Sequence, residues 1–429
     1  MITRYAFLLS GLLAACSPVS KTALNKKFRS LEEKLQDHTG FMLYDPEKKR
    51  ELYAFQATQY FTPASNTKIF TFYTSLTVLG DSIPALRYIE KGDSLIFKGT
   101  GDPSFLYPDA FDSRRAFDFL QTSSKQLYLA EDNFFTSALG PGWAWSDYHY
   151  TYSSERSAFP VYGNFFSIKH TGKSLKINPH LFAYGITLAD SVEESELIRE
   201  IGSNKIIFNP GRKLNNTEQW DVPFKTSPSL TAELLMDTLK KKVSIVNTVV
   251  WDSLKTIYSL PADSLYKTMI QESDNFIAEQ LLLVCSAVLS DSLKPEIAID
   301  FMEKNHLNDL PDKPIWVDGS GLSRYNLFTP RSMVKLWEKI YAQVPRDRLF
   351  SILAIGGRAG TIRNSYKNDP PYIYGKTGTL SNNHSLSGYL VTKKGNTLIF
   401  SFMSNNHPAP AREVRSEMEI ILKSIYEKY

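Results

Sequence analysis

The pattern of this chain is interrupted in its middle. From about residue 85 to 257 the sequence runs in short strand-like pieces, such as Leu95-Ile96-Phe97 and Gln126-Leu127-Tyr128-Leu129, between aromatic, Gly-rich and Pro-rich loops. The flanks read differently, as helical periodicities alternating with hairpins. At 429 residues the chain exceeds one ordinary hydrophobic core. Together these predict a discontinuous domain formed by residues 22–84 and 258–429, with a β-rich, non-helical insert over 85–257.

The flanks carry specific signals. Leu24, Phe28, Leu31 and Leu35 draw one helical stripe, with Gly40 as its expected stop. Phe41 to Tyr44 and Leu52 to Phe55 read as a hairpin around the polar run from Asp45 to Arg50. A helix is expected to begin at Ser65 and to run past Leu76 and Leu79. Helical periodicity returns over Leu265 to Leu289 and again around Met333 to Ile340. Near the end, Tyr372-Ile373-Tyr374 and a hairpin around Lys393-Lys394-Gly395-Asn396 precede an amphipathic helix with Val414, Met418, Ile421, Leu422 and Ile425 on one face.

Composition excludes more than it selects. With 42% apolar and 22% charged residues the chain is globular. Its net charge of +4 is spread without a basic run, so no nucleic-acid partner is indicated. Seven histidines occur without His-Glu-x-x-His or another paired spacing, which gives no support to a metal. Gly99-Thr100-Gly101 lacks the Lys-Ser/Thr of a phosphate loop. Trp143 and Trp145 read as core residues rather than a substrate platform, and His384 as a surface or strand-packing histidine. Cys285, in an apolar run, reads as a small core residue rather than half of a disulfide with Cys16.

Three short motifs occur in order: Ser65-Asn66-Thr67-Lys68, Ser273-Asp274-Asn275 and Lys376-Thr377-Gly378. Singly they are weak, since Ser-x-x-Lys recurs at Ser264 and Ser332 and Ser-x-Asn at Ser381 and Ser404. Their order and local context make them informative, and the chemistry agrees. Residues three apart share a helix face, so the Lys68 amine reaches the Ser65 hydroxyl. Free N–H groups at a helix start favour a developing oxyanion. An ordinary lysine, with a pKa of about 10.4, is neutral in roughly one molecule in a few thousand at pH 7. Bringing it to about 7 requires roughly 4.6 kcal/mol, from burial and a second cation. Lys376 is the natural second cation and can attract a carboxylate; Ser273 is then a proton relay and Asn275 an orienting group.

This triplet resembles that of the serine penicillin-binding proteins and class A β-lactamases. The step of 208 positions from Ser65 to Ser273 makes the chain similar to one class, the low-molecular-mass D-alanyl-D-alanine carboxypeptidases with a large insert between the first two motifs. Pro63-Ala64-Ser65, Gly99-Thr100-Gly101-Asp102-Pro103, Gly142-Trp143-Ala144-Trp145-Ser146-Asp147, Asp318 to Arg324 and Gly360-Thr361-Ile362-Arg363 extend the likeness from Asn25 to about Ser424. The resemblance implies an α/β (α+β) fold of β-lactamase/transpeptidase type, with a central antiparallel sheet flanked by helices. It implies acylation of Ser65 by the D-Ala-D-Ala end of peptidoglycan stem peptides, covalent inhibition by β-lactam antibiotics, and no cofactor. It places the oxyanion hole at the N–H groups of Ser65 and Thr379, and a substrate carboxylate at Thr377, Gly378 and Thr379. The insert, at about 170 residues, is somewhat short for the class, so a reduced subdomain is expected.

The same motifs are shared by proteins of other activities. A β-lactamase or esterase on the same triplet would need a deacylating group, and Glu303 before Leu307-Asn308 is one residue out of register for it. A non-catalytic lipoprotein that binds peptidoglycan or senses β-lactams has no use for a neutral Lys68. Asp318-Gly319-Ser320-Gly321 does not meet the Gly-x-Ser-x-Gly pattern of a nucleophile elbow. Carboxypeptidase and endopeptidase action are not separable by sequence.

Residues 1–15 read as a signal peptide, with Arg4 before the apolar stretch Tyr5 to Leu13. Leu13-Ala14-Ala15-Cys16 resembles the lipobox of bacterial lipoproteins, implying lipidation at Cys16, a tether over 16–21 and a membrane-held enzyme facing the periplasm. By the rule of that family, Ser17 after Cys16 is compatible with the outer membrane.

Overall fold

The computed structural model describes residues 21–108, 110, 111, 114–171, 174–189, 197–209, 218–247 and 249–429; the leader and Cys16 lie outside them. A six-stranded antiparallel sheet organises the flanking segments, in the spatial order Ala354–Ile355, Ile373–Leu380, Asn383–Val391, Thr397–Asn405, His38–Asp45 and Arg50–Phe55. The N-terminal hairpin thus joins the C-terminal strands, Phe41 standing opposite Phe402. All residues of Thr397–Asn405 are buried, because both faces of the sheet are covered.

On one face lie the terminal helices. Lys21–Leu35 presents the expected stripe, with Leu24, Phe28, Leu31 and Leu35 all buried. Phe28 packs on Phe41 with ring centroids 4.8 Å apart. At about 1.5–3 kcal/mol per buried side chain, this stripe is enough to hold the helix in place. Val414, Met418, Ile421, Leu422 and Ile425 of Ala411–Lys428 join the same cluster. Gly40 does not end the first helix; it lies within the strand His38–Asp45. A Cβ there would come within 2.4 Å of the Phe61 ring, so close packing accounts for the glycine.

On the other face, Lys68–Val78, Ala262–Gln271, Asn275–Ser290 and Pro330–Gln343 enclose a second cluster that includes Phe70, Tyr266, Leu281 and Trp337. The single helical run expected over 265–289 is two helices. The chain breaks between them at Ser273, whose φ of 62° is left-handed, and Asp274 caps the second helix by accepting from the Ile277 N–H at 2.9 Å. Cys285 is buried in this helix with a free thiol.

The interrupting segment builds a third cluster, including Phe97, Phe159, Phe166 and Leu235. Its five-stranded sheet runs Val243–Val246, Gln126–Ala130, Ser94–Gly99, Ser82–Lys91 and Lys255–Pro261. The first and last strands of the segment pair antiparallel, Arg87 opposite Thr256, so its entrance and exit are neighbours. Two three-stranded sheets accompany it. The expectation of a segment without helices is corrected by Arg115–Thr122 and Pro228–Leu239. Ser227, which accepts from the Leu230 N–H at 3.1 Å, and Pro228 are a helix start that the surrounding strand signals obscured.

Candidate active site

The first motif straddles a change of helix type. Ala64–Thr67 is a 3₁₀ turn and the α-helix begins at Lys68, so Ser65 lies one turn before the helix rather than as its first residue. Ala64 has a φ of 49°, and the turn is clamped from outside. The Asn66 amide donates to the Lys376 carbonyl at 3.1 Å and to Ser385 Oγ at 2.8 Å, while its oxygen accepts from Ser387 Oγ. Ser385 Oγ also donates to the Pro63 carbonyl at 2.7 Å. A Cβ on Gly378 would meet Pro63 O at 2.4 Å and the Ser65 nitrogen at 2.9 Å, so only glycine lets the strand pass this close to the nucleophile.

The residues singled out by sequence converge here. Lys68 Nζ donates to Ser65 Oγ at 2.9 Å, to Asn275 Oδ1 at 2.6 Å and to the Ser320 carbonyl at 2.7 Å. Asn275 is oriented by its amide donating to the Tyr152 carbonyl at 2.9 Å. Lys376 Nζ donates to Ser273 Oγ at 2.7 Å and to the Thr377 carbonyl at 2.7 Å. Both lysines are fully buried, whereas Ser65 is partly exposed. Ser320 contributes its carbonyl, not its hydroxyl, to Lys68.

Burial sets the electrostatics. It pushes the Lys68 amine down to about 8, against the pull of Asp318, Asp274 and Glu279, whose negative charge favours the ammonium. Burial also takes Lys376 well below the ordinary lysine range, helped by the positive charge of Lys68. The expected mutual effect of two cations is therefore felt at Lys376, while desolvation dominates at Lys68. At pH 7 a lysine at about 8 is neutral in about one molecule in ten, against roughly one in a few thousand for an ordinary one.

A cleft of about 810 Å³ opens over Ser65, with Asp147, Tyr152, Asn275, Arg324 and Thr379 among its walls. A second recess of about 370 Å³ adjoins Thr377 and Thr379 and is lined by Arg363, His384 and Arg415. Thr377 Oγ1 donates to Thr361 Oγ1 at 2.6 Å, and Thr379 Oγ1 lies 2.8 Å from His384 Nδ1. His384 is strand-packed, as expected, and it also reaches the recess. Trp145 is 75% exposed rather than core, and Trp143 donates to Asp318 Oδ2 at 3.0 Å. Glu303 pairs with Lys313 at 3.6 Å and lines a different groove, away from Ser65.

Sequence reasoning missed the supports: Asn66, Ser385 and Ser387 behind the turn, and Glu279, Asp318 and Arg156 behind Lys68. Asn66 and Asp318 lie within sequence motifs, but their supporting contacts, like those of the other four, are made across long stretches of chain. Among the described residues no group of three metal-ligating side chains occurs, and no helix is long and apolar enough to cross a membrane.

The model of the D-Ala-D-Ala carboxypeptidase 3 (S13) family matches residues 22–425. The D-alanyl-D-alanine carboxypeptidase DacB of Haemophilus influenzae is 24% identical over 445 residues, covering 93% of this chain and 92% of the relative. The penicillin-sensitive carboxypeptidase A of Dictyostelium discoideum is 23% identical, covering 85% and 81%. The crystal structure of penicillin-binding protein 4 (dacB) from Haemophilus influenzae superposes with a TM-score of 0.75 at 21% identity, over 94% of this chain and 99% of that one.

Proposed function

The chain belongs to the D-Ala-D-Ala carboxypeptidase 3 (S13) family, and we propose that it performs this family's reaction on peptidoglycan stem peptides through an acyl-enzyme on Ser65. It is a serine D-Ala-D-Ala carboxypeptidase. The observation that carries the assignment of residues is the 2.9 Å contact between the Lys68 amine and the Ser65 hydroxyl inside a buried site that holds a second lysine, Lys376.

In this reading neutral Lys68 takes the proton from Ser65 Oγ as the oxygen attacks the carbonyl of the penultimate D-alanine. The N–H groups of Ser65 and Thr379 receive the oxyanion. The terminal carboxylate lies against Thr377, Gly378 and Thr379, where it restores the charge on Lys376. When the C–N bond breaks, the leaving D-alanine nitrogen takes the Ser273 proton, which the proton that Lys68 removed from Ser65 replaces, so Lys68 is neutral again; Lys376 holds Ser273 at 2.7 Å. Water then attacks the ester, its proton passing to neutral Lys68 and from there to Ser65 Oγ as the ester bond breaks, which releases the shortened peptide and regenerates the enzyme. A β-lactam opens on the same serine, its ring nitrogen in the place of the leaving amine. Labelling with fluorescent penicillin tests this: stable label on the parent and none on Ser65→Ala is expected, and label on Ser65→Ala would rule it out.

A second activity is favoured by the recess beyond Thr377 and Thr379. At about 370 Å³ it exceeds the needs of an alanine methyl, and Arg363 and Arg415 suit an anionic peptide. Endopeptidase cleavage of D-Ala cross-links fits that space. Mass spectrometry of purified linear pentapeptide and cross-linked dimer after incubation decides it, since an intact dimer beside trimmed pentapeptide would exclude cross-link cleavage.

The sequence also supports a lipid tether at Cys16 on the periplasmic side of the envelope. Cys16→Ser should release the protein from membrane fractions; retention there would contradict a lipid anchor.

A further inference from the structure

Behind the Lys68 amine lies a buried relay that begins in the inserted segment. Arg156 sends Nη2 to the Ser137 and Leu139 carbonyls at 3.0 and 3.1 Å, and its Nη1 faces Glu279 Oε2 at 3.4 Å. The two side chains are 2% and 1% exposed. Glu279 Oε1 accepts from the Ser320 N–H at 2.8 Å, and the Ser320 carbonyl accepts from Lys68 Nζ at 2.7 Å.

A carboxylate buried this deeply is costly without compensation. Burial and the neighbouring Asp318 push Glu279 up to about 7, while Arg156 and the Ser320 N–H pull the other way. The charged groups facing Lys68 are Asp318, Asp274, Glu279 and Lys376. Asp318 and Asp274 have other tasks: Asp318 accepts from the Gly321 and Ser323 N–H groups, and Asp274 caps a helix. Glu279 alone of the four joins the amine's carbonyl partner to a cation of the insert.

We propose that Glu279, anchored by Arg156, is a positioning residue for acylation: it holds the Ser320 backbone so that the Ser320 carbonyl receives Lys68, and its carboxylate is one of the charges that bear on the amine. The inserted segment thereby takes part in preparing the base. This rests on the reading of Lys68 as the base that activates Ser65.

The test is the pH dependence of acylation by fluorescent penicillin. Glu279→Gln removes a negative charge near Lys68 and leaves Arg156 uncompensated, so both changes favour the neutral amine. The rising limb of the rate should move to lower pH by at least ~0.5 unit. In the double variant Arg156→Gln with Glu279→Gln the charges cancel, and the limb should return to within ~0.3 unit of the parent. Glu279→Asp keeps the charge but withdraws it from the Ser320 N–H, so the plateau rate should fall at least ~5-fold. A limb in Glu279→Gln that coincides with the parent's, or a double variant displaced as far as the single one, overturns the proposal. Should Glu279→Gln not fold, by circular dichroism, a parental plateau in Glu279→Asp overturns it. Failure of the parent itself to label would instead overturn the assignment of Ser65 and Lys68.

Discussion

Tyr107, in the inserted segment, donates its hydroxyl to Asp274 Oδ2 at 2.5 Å, immediately beside Ser273. The other carboxylate oxygen caps Asn275–Ser290, so one side chain ties the insert to the helix start that carries Asn275. Ser273 holds a left-handed backbone that costs a non-glycine residue about 1 kcal/mol, and its neighbours must stabilise it. Tyr107→Phe should therefore lower unfolding free energy by about 1–2 kcal/mol in denaturant titration and slow acylation several-fold. Unchanged values of both would show that the contact does not hold Ser273.

Gly378→Ala addresses the closest approach in the site. The added methyl would lie 2.4 Å from Pro63 O and 2.9 Å from the Ser65 nitrogen, both backbone atoms that cannot rotate away. The strand must shift, moving Thr379 and Lys376 relative to Ser65. Displacements of about 1 Å cost on the order of 100-fold in rate, and a loss of that size is expected in single-turnover acylation. A rate within threefold of the parent would show that the strand and the turn are not tightly coupled.

His384 makes a prediction about acid stability. Burial first, then the neighbouring basic groups of Arg415, His407 and Lys376, push the imidazole down to about 3. Below its unfolded value of about 6.5 the unfolded chain binds a proton that the folded one refuses, so stability falls as pH drops from 6.5 towards 3. His384→Gln removes that contribution and keeps a polar partner for Thr379. The loss of unfolding free energy between pH 7 and pH 4 should be smaller in the variant than in the parent. Equal losses would mean that the imidazole charges freely inside the fold.

Much of this site was legible because its chemistry is carried by short motifs. Ser65, Lys68, Ser273, Asn275 and Lys376 could be read from their order, and the helical stripes of Leu24 to Leu35 and Val414 to Ile425 from their period. Less visible were features decided by tertiary contact. Periodicity ran straight through Ser273, because the apolar face continues on both sides of a break set by one left-handed residue and an aspartate cap. Gly40 looked like a helix stop, yet the Phe61 ring explains it. Glu279 was hidden inside an apolar helix, its partners Arg156 and Ser320 lying 123 and 41 positions away. Trp145, read as core from its type, is exposed because the loop that carries it lies along the cleft.

The pH dependence of acylation follows from Lys68. The amine accepts the Ser65 proton only when neutral, and burial places its titration near 8. The acylation rate should rise about tenfold per pH unit below 8 and level off above it. A rate that is flat from pH 5 to pH 9 would be incompatible with an amine base of this kind.

The most direct measurement is single-turnover acylation of Lys68→Arg by a β-lactam at neutral pH, read by intact-protein mass spectrometry, with folding confirmed by circular dichroism. A guanidinium keeps its proton throughout the accessible pH range, so loss of at least ~1,000-fold in rate is predicted. Acylation of the folded variant within tenfold of the parent would contradict the assignment of Lys68 as the group that activates Ser65.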